Sequence, residues 1–591
     1  MKRTAFIIFL ILTIFVDVGP CCISAQMAAA GNLFCTDLET CIADPASAGK
    51  TIHISTPVSV KTMIVPPDRA IMVISGGSLH IPSGQAVTFL GRFDAPPEQV
   101  ITGNGTINFG KGSIREAYPQ WFGARGDGVT DSTVAFARSI ASLPSGGVMK
   151  LIAGVYRGSL RLRRSDIAIV GAGSNVTTIK LPDGHGAASN VLELGDTAAG
   201  NDAIPYERLS VSGLTLDGNR DKAGQPTTDL TGWGMPATMI SHSRFSDLRA
   251  INCWNGGFGF FINSNYNSGN GMHVTNSGFS KLNEPGFDLN SSKYNSFTGV
   301  TVENCNYGLR VLDNCWGNSI DAIIANAAVT GFVYNNQLVN ESHSNHIRVV
   351  IEGGCRDYGI SVGPNCRSSQ LDAIISGITG TALYLVKQVS AHNNPAGMII
   401  NLTTRHCGRQ SARIEGDANI LIINSFDDGR MGQPGQYVIS VAGNRNQLAA
   451  TITDSKPGQL RGIEVRPEAE DTEITHLVTT IMEGLIFRDA GKRTLINHGQ
   501  GWGMDIGSAT TIAIPFKGEL FAINGAETIT SIIADAENRG RRITLTANAP
   551  LRLLKGRNLK LRSDFTGAAH AYITLRSDGV NWYELSREED E

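Results

Sequence analysis

The feature that most constrains this chain is an internal repeat of about two dozen residues in its middle part. The stretches Phe245–Cys253 and Phe297–Cys305 share alternating apolar residues and the ending Asn-Cys, and related apolar strands recur at 320–324, 347–351 and 371–375. A repeat of this period predicts a solenoid, in which each unit pairs with the units before and after it. The abundance of glycine (67 residues) and the low charged fraction (17%) agree with short strands and tight corners.

Each unit carries a second strand after a turn, and alternation along it separates inward from outward side chains. The inward side chains are apolar: Phe287, Leu309, Phe332, Ile360 and Leu383. The outward side chains form one row across successive units: Gly259, Asp288, Arg310, Val333, Ser361 and Tyr384. Neighbouring strands lie ~4.8 Å apart, so we expect Asp288 and Arg310 to be adjacent on the outer surface.

An asparagine marks the end of each unit, just before the next long strand: Asn267, Asn295, Asn318 and Asn345. Asparagine tolerates left-handed backbone and bonds to neighbouring backbone groups. Stacked once per unit, these residues predict an internal asparagine ladder with a structural role. Cys253 and Cys305 recur two units apart, roughly 10 Å, which is too far for a disulfide, and we interpret them as buried packing residues.

The N-terminal residues of the sequence predict where the protein is located. Lys2 and Arg3 precede an apolar run of about a dozen residues, which is typical of a secretory signal peptide and shorter than the ~20 residues of a membrane span. We predict a signal peptide over 1–25 and secretion to an extracellular or periplasmic location, with no later membrane span. Cys35 and Cys41 could then pair in an oxidising compartment or stay reduced.

Three further segments are expected after the signal peptide: a small N-terminal β domain at 26–117, a parallel β-helix at 118–495 and a C-terminal β module at 496–591. A cap helix is predicted over 131–143. Its apolar residues are Val134, Phe136, Ile140 and Leu143, and Asp131 or Ser132 can cap its first turn.

The stretch from Phe122 to Phe136, with its Gly-Ala-Arg-Gly-Asp-Gly-Val-Thr-Asp core, resembles the entry motif of the pectate-lyase-3 superfamily. That group includes rhamnogalacturonase- and epimerase-like β-helices and phage tailspikes, and the similarity continues through Gly146–Tyr156 and Leu214–Asn219. Ser132 departs from the pattern, because the family usually has a second Asp there. The resemblance implies an all-β fold, a right-handed single-stranded parallel β-helix, and polysaccharide as the partner.

The outward row is where we look for chemistry, because this sheet face forms the substrate groove in β-helix polysaccharide enzymes. The candidate catalytic residues are Asp288, Arg310 and Tyr384, and the candidate substrate-binding residues are Asn290, Asp313, Trp316 and Lys387. In a lyase, Arg310 could neutralise a uronate carboxylate while Tyr384 or Lys387 moves a proton. In a hydrolase, Asp288 would need a second carboxylate, for which Glu284 and Asp313 are the nearest. The bland alternative is that Asp288 and Arg310 form an exposed cross-strand ion pair.

Other site classes find little support. His185 sits in a Gly-His-Gly tripeptide similar to one in polygalacturonases, but the accompanying motifs are missing, so we interpret it as a loop residue. No metal or other cofactor is predicted. The net charge of −3 and the pI near 6.5 give no basic footprint for nucleic acid.

Two functions therefore remain open. The first is a secreted enzyme that cleaves an acidic or complex polysaccharide as a lyase or a hydrolase. The second is a non-catalytic glycan-binding or adhesion protein on the same scaffold. A tailspike-like fibre would in addition form a homotrimer, although the signal peptide argues against a virion role.

Overall fold

The computed structural model describes residues 32–588 apart from 187–188, 197–203, 223, 338–340, 388–392, 430, 432–435, 454–460, 481–486, 497–503, 515–519, 535–538, 548–549 and 569–570. The signal peptide predicted over 1–25 lies outside the described residues. The described residues divide into two compact units. The first unit comprises the residues up to Gly123 together with Ala141–Pro144, and the second comprises Ala124–Ile140 together with the residues from Ser145 onward.

The first unit is a small parallel solenoid of its own. A short helix, Leu38–Ala43, is capped by Asp37, and short 3-10 turns occupy Pro45–Ser47 and Pro119–Phe122. Its strands form three parallel sheets: Asn32–Phe34, Thr51–Ile54, Ala70–Val73 and Phe93–Asp94; Pro57–Ser59, Ser78–His80 and Ile101–Thr102; and Met63–Val65, Ala86–Phe89 and Thr106–Phe109. Cys35 and Cys41 form a disulfide, which resolves the alternative that the sequence left open.

The second unit is a right-handed, single-stranded parallel β-helix, as expected. Its two long parallel sheets extend from Asp127 to Ile496, and we call them sheet A and sheet B. Sheet A has 17 described strands: Asp127–Asp131, Val148–Lys150, Gly154–Arg157, Ala168–Val170, Thr177–Lys180, Ser210–Asp217, Arg244–Ile251, Ser268–Thr275, Ser296–Glu303, Ser319–Ala327, His346–Gly354, Gln370–Ser376, Ile399–Arg405, Ile420–Phe426, Gln447–Thr453, Glu473–Thr480 and Leu495–Ile496.

Sheet B carries the second strand of each repeat. Its 13 described strands are Leu160–Leu162, Leu192–Gly195, Met235–Thr238, Phe258–Phe261, Pro285–Asn290, Tyr307–Leu312, Thr330–Asn335, Tyr358–Val362, Thr381–Leu385, Ala412–Ile414, Tyr437–Val441, Arg461–Val465 and Phe487–Asp489. The predicted inward residues of these strands are all buried: Phe287, Leu309, Phe332, Ile360 and Leu383. Each coil thus contributes its apolar side chains to one continuous core between the sheets.

The asparagine ladder is confirmed. The side-chain amide of Asn267 donates to Oδ1 of Asn295 at 3.1 Å, Asn295 to Asn318 at 3.1 Å, and Asn318 to Asn345 at 3.0 Å. All four side chains are buried. The same contact recurs later between Asn419 and Asn446 at 3.1 Å. Each of these donating amides bonds to a backbone carbonyl and to the asparagine of the next coil. The ladder therefore fixes the register of successive coils.

The cap helix spans Thr133–Ser142, and the Oδ1 atom of Asp131 accepts the Thr133 N–H at 2.9 Å. Phe136 packs against Tyr156 in the strand Gly154–Arg157, with ring centroids 6.2 Å apart. The expectation that Val134 faces inward is wrong, because this residue is 72% exposed. It stands in the first turn of the helix, two residues before Phe136, and therefore faces a different side.

The C-terminal segment contains a mixed sheet, as its alternation indicated. The sheet comprises Met504–Gly507, Leu520–Asn524, Arg542–Ala547, Tyr572–Ser577, Trp582–Glu588 and Leu559–Lys560. Four two-residue or three-residue pairs accompany the main sheets of this unit: Tyr206–Glu207 with Ile240–Ser241, Ser342–His343 with Cys366–Arg367, Thr511–Ile512 with Ser531–Ile532, and Leu551–Leu553 with Phe565–Gly567. A 3-10 turn occupies Arg220–Lys222. Among the described residues, no helix has the length and apolar character needed to cross a membrane.

Candidate functional site

The outer row of sheet B has the register that the sequence predicted. Asp288 pairs with Arg310, Arg310 with Val333, Val333 with Ser361, and Ser361 with Tyr384. The row continues beyond the predicted stretch, through Arg413, Ser440, Glu464 and Arg488. We use the term outer row for this complete series, from Gly259 to Arg488.

Asp288 and Arg310 form a buried cluster with Glu284. The guanidinium donates from Nε to Oδ1 of Asp288 at 3.0 Å and from Nη2 to Oδ2 at 2.6 Å. The same Nη2 also donates to Glu284, which directly precedes the strand Pro285–Asn290. The side chain of Asp288 is 0% exposed, and that of Arg310 is 17% exposed. The expected cross-strand ion pair is therefore present, but the expectation that it is exposed is wrong.

Aromatic side chains flank this pair on the Gly259 side of Asp288. A Cβ atom at Gly259 would lie only 2.3 Å from the Phe261 ring, so this ring folds across the outer face beside Asp288. Trp233 packs edge-on against Phe261, with centroids 5.2 Å apart. The pattern of the strands shows which side chains point outward, but it does not show that the Phe261 ring folds back over the sheet.

Burial sets the protonation of this cluster. It raises the pKa of Glu284 from 4.5 to about 7, although Arg310 acts to lower it. It also raises the pKa of Asp288, again against the effect of Arg310. Burial lowers the pKa of Arg310, but the two carboxyl groups outweigh that effect and leave it above its ordinary value. Asp229 adds to the rise at both carboxyl groups, so the cluster holds more acid than its single guanidinium can neutralise.

Tyr384 lies in a separate, more open part of the row. It stands three coils beyond Arg310, roughly 14 Å along the sheet, so the structure does not bring the two together. Its hydroxyl donates to Oε2 of Glu415 at 3.0 Å, and the Arg413 guanidinium lies over its ring at 4.8 Å. Burial and the bond to Glu415 raise the pKa of Tyr384 to about 12. The hydroxyl therefore stays protonated at neutral pH.

Glu415 organises the side chains around this tyrosine. Its Oε1 accepts from Nε of Arg413 at 2.8 Å, and its Oε2 accepts the backbone N–H of Lys387 at 3.2 Å. The backbone of Lys387 thus lies beside Tyr384, and the residue is exposed. Burial acts to raise the pKa of Glu415, but the bonds from Arg413, Lys387 and Tyr384 leave it lowered. The result is an ionised carboxylate that holds a tyrosine and an arginine in place.

The remaining predicted binding residues lie at the turns after the strands. Asn290 ends its strand and accepts from the Ser291 hydroxyl at 3.0 Å, and Asp313 accepts the Gln337 N–H at 2.7 Å. Asp313 is close enough to Asp288 to raise its pKa. Trp316 belongs to a stack of rings on the flank, where His343 lies at 5.5 Å and Nζ of Lys293 at 5.0 Å. The Trp316 ring is therefore already in contact with neighbouring side chains.

Sequence reasoning missed the part of the row after residue 385. Residues Gln410, Arg413, Gln436, Tyr437, Ser440, Glu464, Arg466 and Arg488 line a cleft of about 280 Å³, which we call the arginine cleft. A signal was present, because the strands 412–414, 437–441 and 461–465 keep the same alternation. Among the described residues, no group of three or more His, Cys, Asp or Glu side chains could hold a metal ion.

Comparison with known proteins shows a family resemblance over part of the chain. Residues 120–333 match the model of the family described as rhamnogalacturonase A/epimerase, pectate lyase-like. Over this stretch the chain is similar to pectate lyase-like proteins. The resemblance that the entry motif indicated is therefore confirmed, and the matched residues include the buried cluster but end before Tyr384.

Individual relatives cover limited parts of the chain. Mannuronan C5-epimerase AlgE1 of Azotobacter vinelandii is 38% identical over 123 residues, which is 19% of this chain and 8% of the relative. The preneck appendage protein of Bacillus phage PZA is 21% identical over 378 residues, which is 62% of this chain and 36% of the relative. Among solved structures, the A-module of mannuronan C-5 epimerase AlgE6 from Azotobacter vinelandii has a TM-score of 0.46 at 14% identity, covering 66% of this chain and all of that one. The chain thus spans about a third or less of the length of these curated relatives.

Proposed function

We propose that this protein is a polysaccharide-active enzyme whose reaction moves the proton at C5 of a uronate unit, with Tyr384 at its centre. The observation that carries the proposal is the hydrogen bond from the Tyr384 hydroxyl to Glu415, beside Arg413, where the outer row opens into the arginine cleft. This chemistry requires an acid, a base and a group that stabilises negative charge, and a protonated phenol, a lysine and a guanidinium can supply them. The name of the relative that matches at 38%, a mannuronan C5-epimerase, supports the same class of substrate.

Each residue has a defined task in this proposal. Arg413 neutralises the uronate carboxylate, whose negative charge grows when the C5 proton leaves. Lys387 is the candidate base for that proton once its ammonium group has released a proton to solvent. Tyr384 returns a proton, either to the opposite face of C5, which inverts that centre, or to the glycosidic oxygen at C4. In the second case the C5–H and C4–O bonds break and a C4=C5 double bond forms, as in a lyase.

Hydrolysis has less support. It requires two carboxyl groups that face a sugar from opposite sides, ~5–9.5 Å apart, with room for the bond between them. Glu284 and Asp288 are instead both bound to one nitrogen of Arg310 and are buried. Neither can approach a polymer without breaking this cluster.

A second candidate function is non-catalytic glycan binding, and a specific observation favours it. Two of the three predicted catalytic residues, Asp288 and Arg310, are paired with each other and buried. As a glycan-binding protein, it would hold a polysaccharide along the outer row without cleaving it, and Tyr384 would contribute only a ring contact and a hydrogen bond.

A turnover screen separates these functions. The purified protein is incubated with acidic and neutral polysaccharides while three signals are followed: the ultraviolet absorbance of unsaturated uronates, the release of reducing ends, and exchange of the C5 proton with solvent by NMR. We expect turnover on a uronate polymer. Tyr384→Phe should lower it by at least about 100-fold, the lower end of what a general acid or base contributes.

Tyr358→Phe is the matched control, because Tyr358 lies next to Tyr384 with ring centroids 5.1 Å apart. Removal of the Tyr358 hydroxyl should leave turnover nearly unchanged. Full activity of Tyr384→Phe would overturn the assignment of this residue. Absence of all three signals, with retained binding to a polymer, would favour the binding function.

A further inference from the structure

The arginine cleft extends the outer row beyond Tyr384. Arg413 is one coil from Tyr384, Ser440 two, Glu464 three and Arg488 four, so the cleft covers roughly 5 to 19 Å along the axis. Its lining includes three arginines and one glutamate, together with neutral hydrogen-bonding groups. A polymer that lies along sheet B with one unit at Tyr384 would place its following units here.

The two distal arginines are held in place but keep capacity for a ligand. Nη1 of Arg488 donates to Oε1 of Glu464 at 3.3 Å, and Nε of Arg466 lies 3.6 Å from Oε2 of the same residue. Nη1 of Arg466 also lies 3.6 Å from Glu468. The side chains of Arg466 and Arg488 are 41% and 57% exposed, whereas that of Glu464 is 18% exposed. These contacts are long for charge-assisted hydrogen bonds, which are usually 2.7–2.9 Å, so much of each guanidinium fork remains available.

Arg413 differs from these two. Its Nε donates to Glu415 at 2.8 Å, and it stacks on Tyr384. It therefore belongs with the tyrosine centre, while Arg466 and Arg488 form a second guanidinium position that the reaction does not use. The acidic partners of that position are Glu464, which is less exposed than either arginine, and Glu468, which contacts Arg466.

We infer that Arg466 and Arg488 form a binding site for an anionic substituent, a carboxylate or a sulfate, on the polysaccharide chain. This inference rests on the proposed function, which it deepens by adding a second binding position for an anionic group, beyond the unit at Tyr384. Planar guanidinium groups bind such oxyanions with paired hydrogen bonds. Gln410, Gln436 and Ser440 supply donors and acceptors for the sugar hydroxyl groups of the same unit. The site selects acidic over neutral polymers, because a neutral unit would leave both guanidinium groups without a new partner.

Binding measurements in the Tyr384→Phe background test the site apart from turnover. Affinities are measured by isothermal titration for polymannuronate and polygalacturonate, which carry carboxylates, for dextran sulfate, and for dextran as the neutral polymer. The double variant Arg466→Gln/Arg488→Gln should lose at least about 10-fold in affinity for one of the anionic polymers. It should also show a weaker dependence on salt, because screened charge contacts have been removed.

Arg348→Gln is the matched control, because Arg348 is an exposed arginine on sheet A. It should bind all polymers as the parent does, and circular dichroism should show all variants folded. The polymer that responds most distinguishes carboxylate from sulfate recognition, and either response supports the site. Unchanged affinity in the double variant, an equal loss in Arg348→Gln, or failure of the parent to bind any anionic polymer would overturn it.

The outcome is separable from that of the proposed function. If no polymer is turned over but the double variant loses binding, the anionic site stands and the catalytic proposal fails. If turnover occurs and the double variant keeps both its affinity and its KM, the catalytic proposal stands and the anionic site fails.

Discussion

Arg310 holds Asp288 from the neighbouring coil through two hydrogen bonds, from Nε at 3.0 Å and from Nη2 at 2.6 Å, and the carboxylate is fully buried. The pair links two successive coils of sheet B on the outside of the solenoid, where the core does not reach. Removing one member of a buried ion pair leaves the other as an uncompensated charge. The pair is therefore a structural element whose loss should reduce stability.

Asp288→Ala should lower the free energy of unfolding by about 3 kcal/mol, at the low end of what breaking a buried pair costs, because Glu284 still contacts Arg310. The measurement is urea unfolding followed by circular dichroism. Asp321→Ala is the control, since Asp321 is an exposed carboxylate on sheet A and should change stability by less than about 0.5 kcal/mol. A loss of turnover with unchanged stability would instead place Asp288 in catalysis.

Glu284 should make stability depend on pH near neutrality. Its pKa is raised from 4.5 to about 7 by burial, so between these values the folded state binds more protons than the unfolded state. Stability therefore falls as pH rises through this window, by at most about 1.4 kcal/mol per pH unit for one proton. Glu284→Gln removes this titration and should flatten the curve of stability against pH relative to the parent.

The control for this prediction is Glu352→Gln, an exposed glutamate on sheet A. Its curve should run parallel to that of the parent. If Glu284→Gln also gives a parallel curve between about pH 5 and 8, Glu284 does not hold an elevated pKa.

Much of the fold could be predicted from the sequence because it depends on local periodicity. The inward position of Leu309 and the outward position of Arg310 both follow from alternation, and the stacking of Asn295 on Asn318 follows from the repeat. The register from Asp288 to Tyr384 was correct for the same reason. These features need only the spacing within one coil and the fact that coils stack.

The burial of Asp288 could not be predicted in this way. Phe261 lies in the preceding coil on the same outward face as Gly259, and its ring turns back along the strand over Gly259, beside Asp288. Such side-chain positions are decided by tertiary packing. The arginine cleft was missed for a different reason, because its residues on strands 412–414, 437–441 and 461–465 follow the same repeat but carry no recognisable motif.

The asparagine ladder should be intolerant of charge. The Asn318 amide donates to the Ser292 carbonyl at 2.9 Å and to Oδ1 of Asn345 at 3.0 Å, while its own Oδ1 accepts from Asn295. Asn318→Asp keeps the shape but places a carboxylate against two acceptors inside the solenoid. We expect a loss of at least about 3 kcal/mol in unfolding free energy, larger than the loss for Asn318→Ala. Equal effects of the two substitutions in urea unfolding would contradict this explanation.

The buried cysteines should be inert in the native protein. Burial raises the pKa of Cys253, Cys305, Cys315 and Cys355 to about 12, and the side chain of Cys253 is fully buried. Because the thiolate is the reactive form, roughly one such thiol in ten thousand would be ionised at about pH 8, even with access to reagent. Iodoacetamide should therefore leave the peptides that contain these residues unmodified until urea unfolds the chain, as read by mass spectrometry. Labelling of Cys253 in the native protein, at a rate near that of the unfolded chain, would show that the coils open at this position faster than the packing of the core allows.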